Sequence, residues 1–163
     1  MSILPEDLTT LAQRVIAANR DAGRMIALAE SCTGGLVTAA LTEVPGSSAV
    51  LDRGFVTYSN QAKHQMLSVS NDIIDAFGAV SIACAWAMAQ GALKHSSADV
   101  AVAITGIAGP DGGSDMKPVG TVVFARAVRG SDELVAEEKL IEGEDRAGIR
   151  HQAALVALEL LLP

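Results

Sequence analysis

The chain is organised around residues 25–35, which read Met25-Ile26-Ala27-Leu28-Ala29-Glu30-Ser31-Cys32-Thr33-Gly34-Gly35. The first five residues form a continuous apolar run of strand length, and Leu36 to Leu41 begin a helical run. The stretch therefore predicts a short buried strand, a sharp polar turn and a helix that starts near residue 34. Because a helix N-terminus offers free N–H groups and a positive dipole end, we expect an anion or a developing oxyanion there. The simpler alternative is a strand-to-helix connection in which Thr33 is the N-cap.

The composition predicts a globular protein. The chain has 163 residues, half of them apolar and 19% charged, which is enough for a substantial core and suggests one domain over residues 1–163. No apolar window reaches the length of a membrane span, and residues 1–7 lack the basic and apolar regions of a signal peptide. We therefore expect no membrane association and a cytoplasmic location.

Charge and ligand spacing exclude several further classes of protein. The formal net charge of -7 argues against nucleic-acid binding, which needs a basic face. Cys32 and Cys84 are far apart, and His64, His95 and His151 fall on separate predicted helices. None of these residues has the spacing of a metal site or suggests a structural disulfide. We expect no metal, no disulfide and no nucleic-acid partner.

Apolar periodicity and turn residues predict the remaining elements. Helices are predicted over residues 5–22, 34–43, 71–77, 81–95 and 144–162, with a further short helix that carries Lys63 and is capped by Ser59 or Asn60. Strands are predicted over residues 25–29, 50–58, 99–104, 119–128 and 133–141, and the strongly apolar third one should be central. The predicted fold is an α/β layered domain with a mixed, partly parallel sheet and a C-terminal antiparallel hairpin, flanked by helices.

Three strands end in polar corners, namely Ser31 with the two glycines after it, Tyr58-Ser59-Asn60 ahead of Lys63, and Thr105-Gly106. If these strands lie side by side, all three corners open into one crevice at the strand ends. The glycine-rich loop over residues 105–113 matches neither the P-loop nor the dinucleotide-binding fingerprint. We favour a functional loop over a flexible surface loop. Lys117 at its far end could supply a cation or be a solvated surface lysine.

The candidate nucleophiles are two adjacent residues, Ser31 and Cys32. Serine needs a base, and no histidine pairs obviously with Ser31, so Lys63 is the better candidate. Lysine acts as a base only when its neutral form is populated, which partial burial or a nearby cation would favour. Cys32 could be acidified at a helix N-terminus, or it could be a small buried apolar residue.

Four segments, in order, resemble the C-terminal domain of the CinA family, the nicotinamide-nucleotide amidases. They are Glu30 to Gly35, Tyr58-Ser59-Asn60 with Ala62-Lys63, Thr105 to Gly113, and Lys117 to Thr121. The resemblance covers about residues 5–162. It implies hydrolysis of the carboxamide of nicotinamide mononucleotide to nicotinic acid mononucleotide and ammonia, in pyridine nucleotide salvage. It also implies a stand-alone form, a homodimer, and no metal or organic cofactor.

The resemblance assigns the site residues as well. It implies a catalytic Ser31–Lys63 dyad supported by Tyr58 and Thr105. The substrate-binding residues expected around these four are Glu30, Thr33, Gly34, Gly35, Asn60, Gly106, Gly109, Gly112, Gly113 and Lys117. Which of the two glycine stretches would hold the phosphate and which the oxyanion is left open.

One departure from the family pattern supports an alternative function. After Ala79-Val80-Ser81 the family commonly has glutamate, whereas this chain has Ile82. If that acid is needed, the chain would be an inactive nucleotide-binding or interaction module of the same fold. If Ile82 instead packs in the core, an acid there would bury an unpaired carboxylate.

Overall fold

The computed structural model describes all 163 residues and contains five strands and six α-helices. The helices are α1 (Glu6–Asp21), α2 (Leu36–Thr42), α3 (Asn60–Leu67), α4 (Asn71–Phe77), α5 (Ile82–Lys94) and α6 (Arg146–Leu160). The strands are β1 (Ile26–Glu30), β2 (Leu51–Val56), β3 (Val100–Gly106), β4 (Thr121–Val128) and β5 (Val135–Leu140), and residues 47–49 form a single 3-10 turn. None of the helices combines the length and apolarity that crossing a membrane requires.

The five strands form one mixed sheet in the order β2-β1-β3-β4-β5. β1 pairs in parallel with both β2 and β3, whereas β4 is antiparallel to β3 and to β5. The predicted mixed sheet, the C-terminal hairpin and the central position of the third strand are therefore confirmed. At the end of β1, Glu30 pairs with Val56 on one side and Ile104 on the other. The three parallel strands thus end at the same edge of the sheet.

Helices cover both faces of the sheet. On one face α1, α2 and α6 pack together, and on the other α5 lies against the sheet with α3 and α4 beside it. The strand side chains alternate between the two cores: Ile26 and Leu28 of β1 point to the first, and Ala27 and Ala29 to the second. Burying both faces of the parallel strands in this way explains their nearly continuous apolar sequence.

Close packing of α3 on α5 places Lys63 under the sheet edge. Gly91 in α5 makes this contact possible, since a Cβ at this position would collide with the carbonyl oxygen of Leu67 at the end of α3. Ser59, one of the two predicted candidates, caps α3 by accepting a hydrogen bond of 3.0 Å from the N–H of Ala62. The position of Lys63 is therefore determined by a capped helix and a glycine contact.

The element boundaries differ from the prediction where glycine or a polar corner intervenes. α2 begins at Leu36 and not near residue 34, because Gly34 and Gly35 have φ of +60° and +98°, which an α-helix does not allow. β2 ends at Val56, so that Tyr58 lies beyond the strand in the connection to α3. These shorter elements leave longer polar turns at the edge of the sheet where β1, β2 and β3 end.

Candidate active site

A buried lysine contacts a serine at the edge where the parallel strands end. The Nζ of Lys63 lies 3.0 Å from the Oγ of Ser31 and 3.0 Å from the carbonyl oxygen of Thr57. Ser31 directly follows β1, and its N–H donates to the carbonyl of Ile104 at 2.9 Å. Only 7% of Ser31 and 2% of Lys63 is exposed. The hydroxyl and the amine are therefore held together in a largely buried position.

Burial changes the protonation of this lysine. Removal from water lowers the pKa of Lys63 from its ordinary value of 10.5, because the charged form loses solvation; the nearby Cys84 and Cys32 oppose this shift. No carboxylate forms a salt bridge with Lys63. The surroundings thus favour the neutral amine, the form that can accept a proton from a hydroxyl.

Ser31 and Lys63 lie in a cavity of about 320 Å³. It is lined by nine of the residues predicted from the sequence: Ser31, Tyr58, Asn60, Lys63, Thr105, Gly106, Gly109, Gly112 and Gly113. The remaining lining residues are Cys32, Ala79, Val80, Ile107, Ala108, Asp111 and Arg146. The three strand-end corners therefore do meet in one crevice.

Thr105 forms part of the wall of this cavity. Its hydroxyl is buried and donates to the carbonyl oxygen of Ala79 at 2.9 Å. Ala79 and Val80 precede α5, so this bond joins the end of β3 to the segment that leads into α5. In this structure the Thr105 side chain positions the wall, while its own donor is already in use.

Arg146 crosses the mouth of the cavity and was missed in the sequence. Its Nη2 donates to the Oη of Tyr58 at 2.9 Å, and its Nη1 donates to the carbonyl oxygen of Gly109 at 2.6 Å. Arg146 is the first residue of α6, far from every motif in the chain. One signal in the sequence could have identified Arg146. A cation in the first turn of a helix is unfavourable beside the positive end of the helix dipole, so an arginine there indicates another role.

Glu30 lies outside the cavity, and its contacts show that the predicted anion site at the start of α2 and the predicted Thr33 cap are both wrong. Its buried carboxylate accepts four hydrogen bonds, from the hydroxyls of Thr33 and Thr38 at 2.7 Å and from the N–H groups of Val37 and Thr38 at 3.0 Å. The N-terminus of α2 is therefore occupied by the protein's own carboxylate and is not free for an anion. Thr33 does not cap α2 either, because it donates to Glu30; Gly35 is the N-cap.

Gly34 and Gly35 shape the turn after Ser31 and do not line the cavity. The N–H of Gly34 donates to the carbonyl oxygen of Ser31 at 3.0 Å, so it is not free for an oxyanion. A second arginine of α6, Arg150, donates to the carbonyls of Cys32 and Thr33 at 3.1 Å each. These bonds hold the residues next to Ser31 in place.

Lys117 also lies outside the cavity, contrary to the prediction. Its ammonium group donates to the carbonyl oxygen of Val80, and its N–H donates to the Oγ of Ser114 at 3.1 Å. Lys117 therefore ties the far end of the glycine loop to the segment before α5, and it is not among the residues that line the cavity.

The glycine loop presents backbone donors that have no acceptor. None of the N–H groups of Ala108, Gly109, Asp111, Gly112 and Gly113 donates a hydrogen bond within the protein. Gly109, Gly112 and Gly113 have φ of +74°, +86° and +82°, a region that favours glycine. All five of these residues line the cavity that also contains Ser31 and Lys63.

The rival nucleophile Cys32 has the properties of a buried apolar residue. Burial raises the pKa of its thiol to about 11, so the thiol is protonated at neutral pH. Cys84 is likewise buried, and burial raises the pKa of its thiol too. Both cysteines are free, and nowhere in the structure do three histidine, cysteine or acidic side chains gather in a way that could hold a metal ion.

Comparisons with known proteins identify the family. Residues 8–163 match the CinA C-terminal domain. The chain is 51% identical over 152 residues to a CinA-like protein of Syntrophotalea carbinolica, covering 93% of this chain and 36% of that protein. It is 48% identical over 155 residues to Nicotinamide-nucleotide amidohydrolase PncC of Enterobacter agglomerans, covering 95% of this chain and 93% of that protein.

A solved structure supports the same assignment. The crystal structure of the competence/damage inducible protein CihA from Agrobacterium tumefaciens superimposes with a TM-score of 0.94 at 50% identity. The match covers 99% of this chain and 97% of the other. The chain spans only about a third of the first of the relatives above, but nearly the whole of the second. By sequence match and by fold, the chain belongs to the CinA C-terminal domain family.

Proposed function

We propose that this protein, as one domain over residues 1–163, hydrolyses the carboxamide of nicotinamide mononucleotide to nicotinic acid mononucleotide and ammonia. The observation that carries the proposal is the 3.0 Å contact between the buried Lys63 amine and the Ser31 hydroxyl in a cavity. A similar protein of nearly the same length, from Enterobacter agglomerans, is named a nicotinamide-nucleotide amidohydrolase. The Ser31–Lys63 contact and the similarity to that protein therefore support the same reaction.

In the first half of the reaction Ser31 is the nucleophile and Lys63 the base. The neutral Nζ takes the hydroxyl proton while Oγ forms a bond to the amide carbon, and the carbonyl electrons move onto oxygen. When the tetrahedral intermediate collapses, the carbon–nitrogen bond breaks and the Lys63 ammonium returns the proton to the leaving nitrogen. Ammonia departs and a nicotinoyl ester remains on Ser31.

In the second half of the reaction a water molecule hydrolyses the nicotinoyl ester on Ser31. Lys63, neutral again, takes a proton from that water as its oxygen attacks the ester carbon. Collapse of this intermediate breaks the bond to Oγ, and the proton on Lys63 returns to Ser31. The acid product leaves, and both residues are back in their starting protonation states.

The oxyanion needs N–H donors close to Ser31. Gly34 is unsuitable because its N–H is already bonded to the Ser31 carbonyl. The N–H of Cys32 donates a hydrogen bond to no other residue, and Cys32 lines the cavity. We assign the oxyanion to this N–H, which belongs to the residue that directly follows the nucleophile.

The experiment is incubation of the purified protein with nicotinamide mononucleotide, with ammonia and the acid product measured together. Release of both in equal amounts, undiminished by a chelator, is the expected result. Thermal stabilisation by the mononucleotide without any ammonia would support the alternative, a binding module that has lost turnover. If neither signal appears, both enzyme and binding module are wrong, and an interaction domain remains.

The proposal has three further parts, which rest on resemblance to the family. The reaction would serve pyridine nucleotide salvage, the location would be the cytoplasm, and the protein would be a homodimer. Light scattering coupled to size-exclusion chromatography tests the last point. A mass of twice the 16.8 kDa chain is expected, and a mass of one chain at micromolar concentration would contradict it.

A further inference from the structure

We propose that Arg150 is a positioning residue for the reaction, which fixes the peptide groups on both sides of Cys32 so that the Cys32 N–H can stabilise the oxyanion. This inference rests on the proposed function, since it concerns the geometry of the same reaction. Arg150 lies on α6 and is not among the residues that line the cavity with Ser31. It therefore acts through the groups that it holds and not by contact with the substrate.

The first argument is the direction of the Cys32 N–H. This N–H belongs to the same peptide group as the Ser31 carbonyl, and the two point in opposite directions because the peptide is trans. The Ser31 carbonyl accepts a hydrogen bond of 3.0 Å from the N–H of Gly34. The N–H of Cys32 is therefore directed away from Gly34, and it donates to no other residue.

The second argument is that Arg150 fixes the next two peptide groups. Its Nε donates to the carbonyl oxygen of Cys32 and its Nη2 to that of Thr33, both at 3.1 Å. Since Gly34 holds the Ser31 carbonyl, the peptide groups before and after the Cys32 Cα are both fixed, and so is the direction of the N–H. A guanidinium suits this task because its planar donors can bind two oxygens at once.

The third argument is that the turn has no other anchor at this point. The peptide group between Cys32 and Thr33 makes no hydrogen bond within the protein except the one from Arg150 to its carbonyl. The turn ends in Gly34 and Gly35, with φ of +60° and +98°, and glycine restricts the backbone less than any other residue. Without Arg150 this peptide group should be free to rotate.

The fourth argument is charge. The buried carboxylate of Glu30 directly precedes Ser31 and disfavours further negative charge nearby. Arg150 forms no salt bridge with an acidic side chain. Burial raises the pKa of the Cys32 thiol to about 11; Glu30 acts in the same direction, whereas the Arg150 guanidinium acts to lower this pKa. The charge of Arg150 is thus felt at Cys32 and should offset Glu30 when an oxyanion forms there.

The kinetic test compares Arg150→Ala with wild type on nicotinamide mononucleotide. A misplaced oxyanion donor should lower kcat by about 10- to 100-fold, less than the loss of a whole donor. KM should change by less than about threefold, because Arg150 does not line the cavity.

Arg129→Ala is the matched control for this test. Arg129 also donates to backbone carbonyls, among them that of Ala98 at 2.8 Å, but it does so at the opposite edge of the sheet, where β3 begins. Its loss should leave kcat unchanged. A raised KM with unchanged kcat in Arg150→Ala, or equal losses of kcat in both variants, would overturn the proposal.

A second variant, Arg150→Lys, covers the case in which Arg150→Ala does not fold, which urea unfolding detects. Lysine keeps the charge but lacks the planar pair of donors that reaches two carbonyls. We expect a smaller loss of kcat, by about 3- to 10-fold, again with unchanged KM. Wild-type kcat in Arg150→Lys would show that the two carbonyls need not be held together, and would overturn the proposal.

A reaction with p-nitrophenyl acetate separates this inference from the amidase. This ester needs a nucleophile and an oxyanion donor but no recognition of a nucleotide: Ser31 takes the acetyl group and nitrophenolate leaves. Release of nitrophenolate should be lost in Ser31→Ala, slowed about 10- to 100-fold in Arg150→Ala and unchanged in Arg129→Ala.

The two reactions together distinguish the possible failures. If the ester results hold but ammonia is never released from the mononucleotide, the role of Arg150 stands and the amidase fails. If Arg150→Ala releases ammonia at the wild-type rate, the amidase stands and the role of Arg150 is wrong. If wild type reacts with neither compound, both are wrong.

Discussion

The Nζ of Lys63 lies 3.0 Å from the carbonyl oxygen of Thr57, and a carbonyl oxygen can only accept a hydrogen bond. One N–H of the amine must therefore point to Thr57. Thr57 is itself held by a hydrogen bond of 2.8 Å from its N–H to the carbonyl of Glu30. In the neutral amine this arrangement leaves a lone pair for the hydroxyl of Ser31, so the backbone beyond β2 orients the base.

Activity should depend on the protonation of Lys63. Burial lowers the pKa of Lys63, and the active form is the neutral one, so kcat/KM should rise with pH and level off below pH 10.5. A pH profile of kcat/KM for nicotinamide mononucleotide measures this rise. Cys32→Ala is the control and should show the same rise. A profile that is flat, or that falls as pH increases over this interval, would contradict a lysine base.

Removing the rival nucleophile should have little effect. The thiol of Cys32 is buried and its pKa is about 11, so Cys32→Ala should keep most activity and cost about 1 kcal/mol of unfolding free energy. Activity and urea unfolding of the same preparation check both parts. Iodoacetamide should inactivate wild type slowly at neutral pH. Rapid inactivation, or an inactive Cys32→Ala, would point to a cysteine mechanism.

Glu30 should matter for stability. In Glu30→Gln one oxygen becomes an NH₂ group that faces backbone N–H donors, so charge-assisted bonds are lost. We expect a loss of about 2 to 3 kcal/mol in the free energy of unfolding. Glu138→Gln on exposed β5 is the matched control and should be neutral. Urea unfolding compares the two variants, and equal stabilities would mean that Glu30 does not hold the turn.

Ile82→Glu should be harmless. Ile82 is 43% exposed at the first position of α5 and does not line the cavity, so the core interpretation of this residue is wrong. An acid in a first helical turn is mildly favourable, by about 0.3–1 kcal/mol. We expect unchanged kcat and an equal or slightly higher melting temperature. A marked rise in kcat would show that the departure from the family pattern does limit activity.

The sequence predicts the fold well because the fold depends on local patterns. Apolar runs such as 99–104 and hydroxyl caps such as Ser59 and Ser81 act over a few residues, and both caps are present in the structure. Strand order then brings the corners at Ser31, Tyr58 and Thr105 together. The helices and strands themselves need no knowledge of distant contacts, whereas the crevice was predicted only on the condition that the strands lie side by side.

The sequence does not predict hydrogen bonds that depend on how separate segments approach each other in the fold. The donors to Glu30 lie only three to eight residues away, but they reach its carboxylate because the chain turns back after β1 to begin α2, a turn that the sequence pattern does not specify. Lys117 and Arg146 are 37 residues from the carbonyls of Val80 and Gly109 that they contact. The spacing of apolar residues does not predict such contacts, because they depend on how loops approach each other in three dimensions.

The central claim is that Ser31 and Lys63 act as one catalytic unit, and a double-mutant comparison of ammonia release tests it most directly. Lys63→Met keeps much of the buried side-chain volume while removing the amine, and Ser31→Ala removes the nucleophile. Each should lower kcat for nicotinamide mononucleotide by at least about a thousandfold, and the double variant should be little worse than either. All three should still bind the mononucleotide in calorimetry. Substantial turnover by Ser31→Ala, or losses that multiply in the double variant, would contradict the Ser–Lys account.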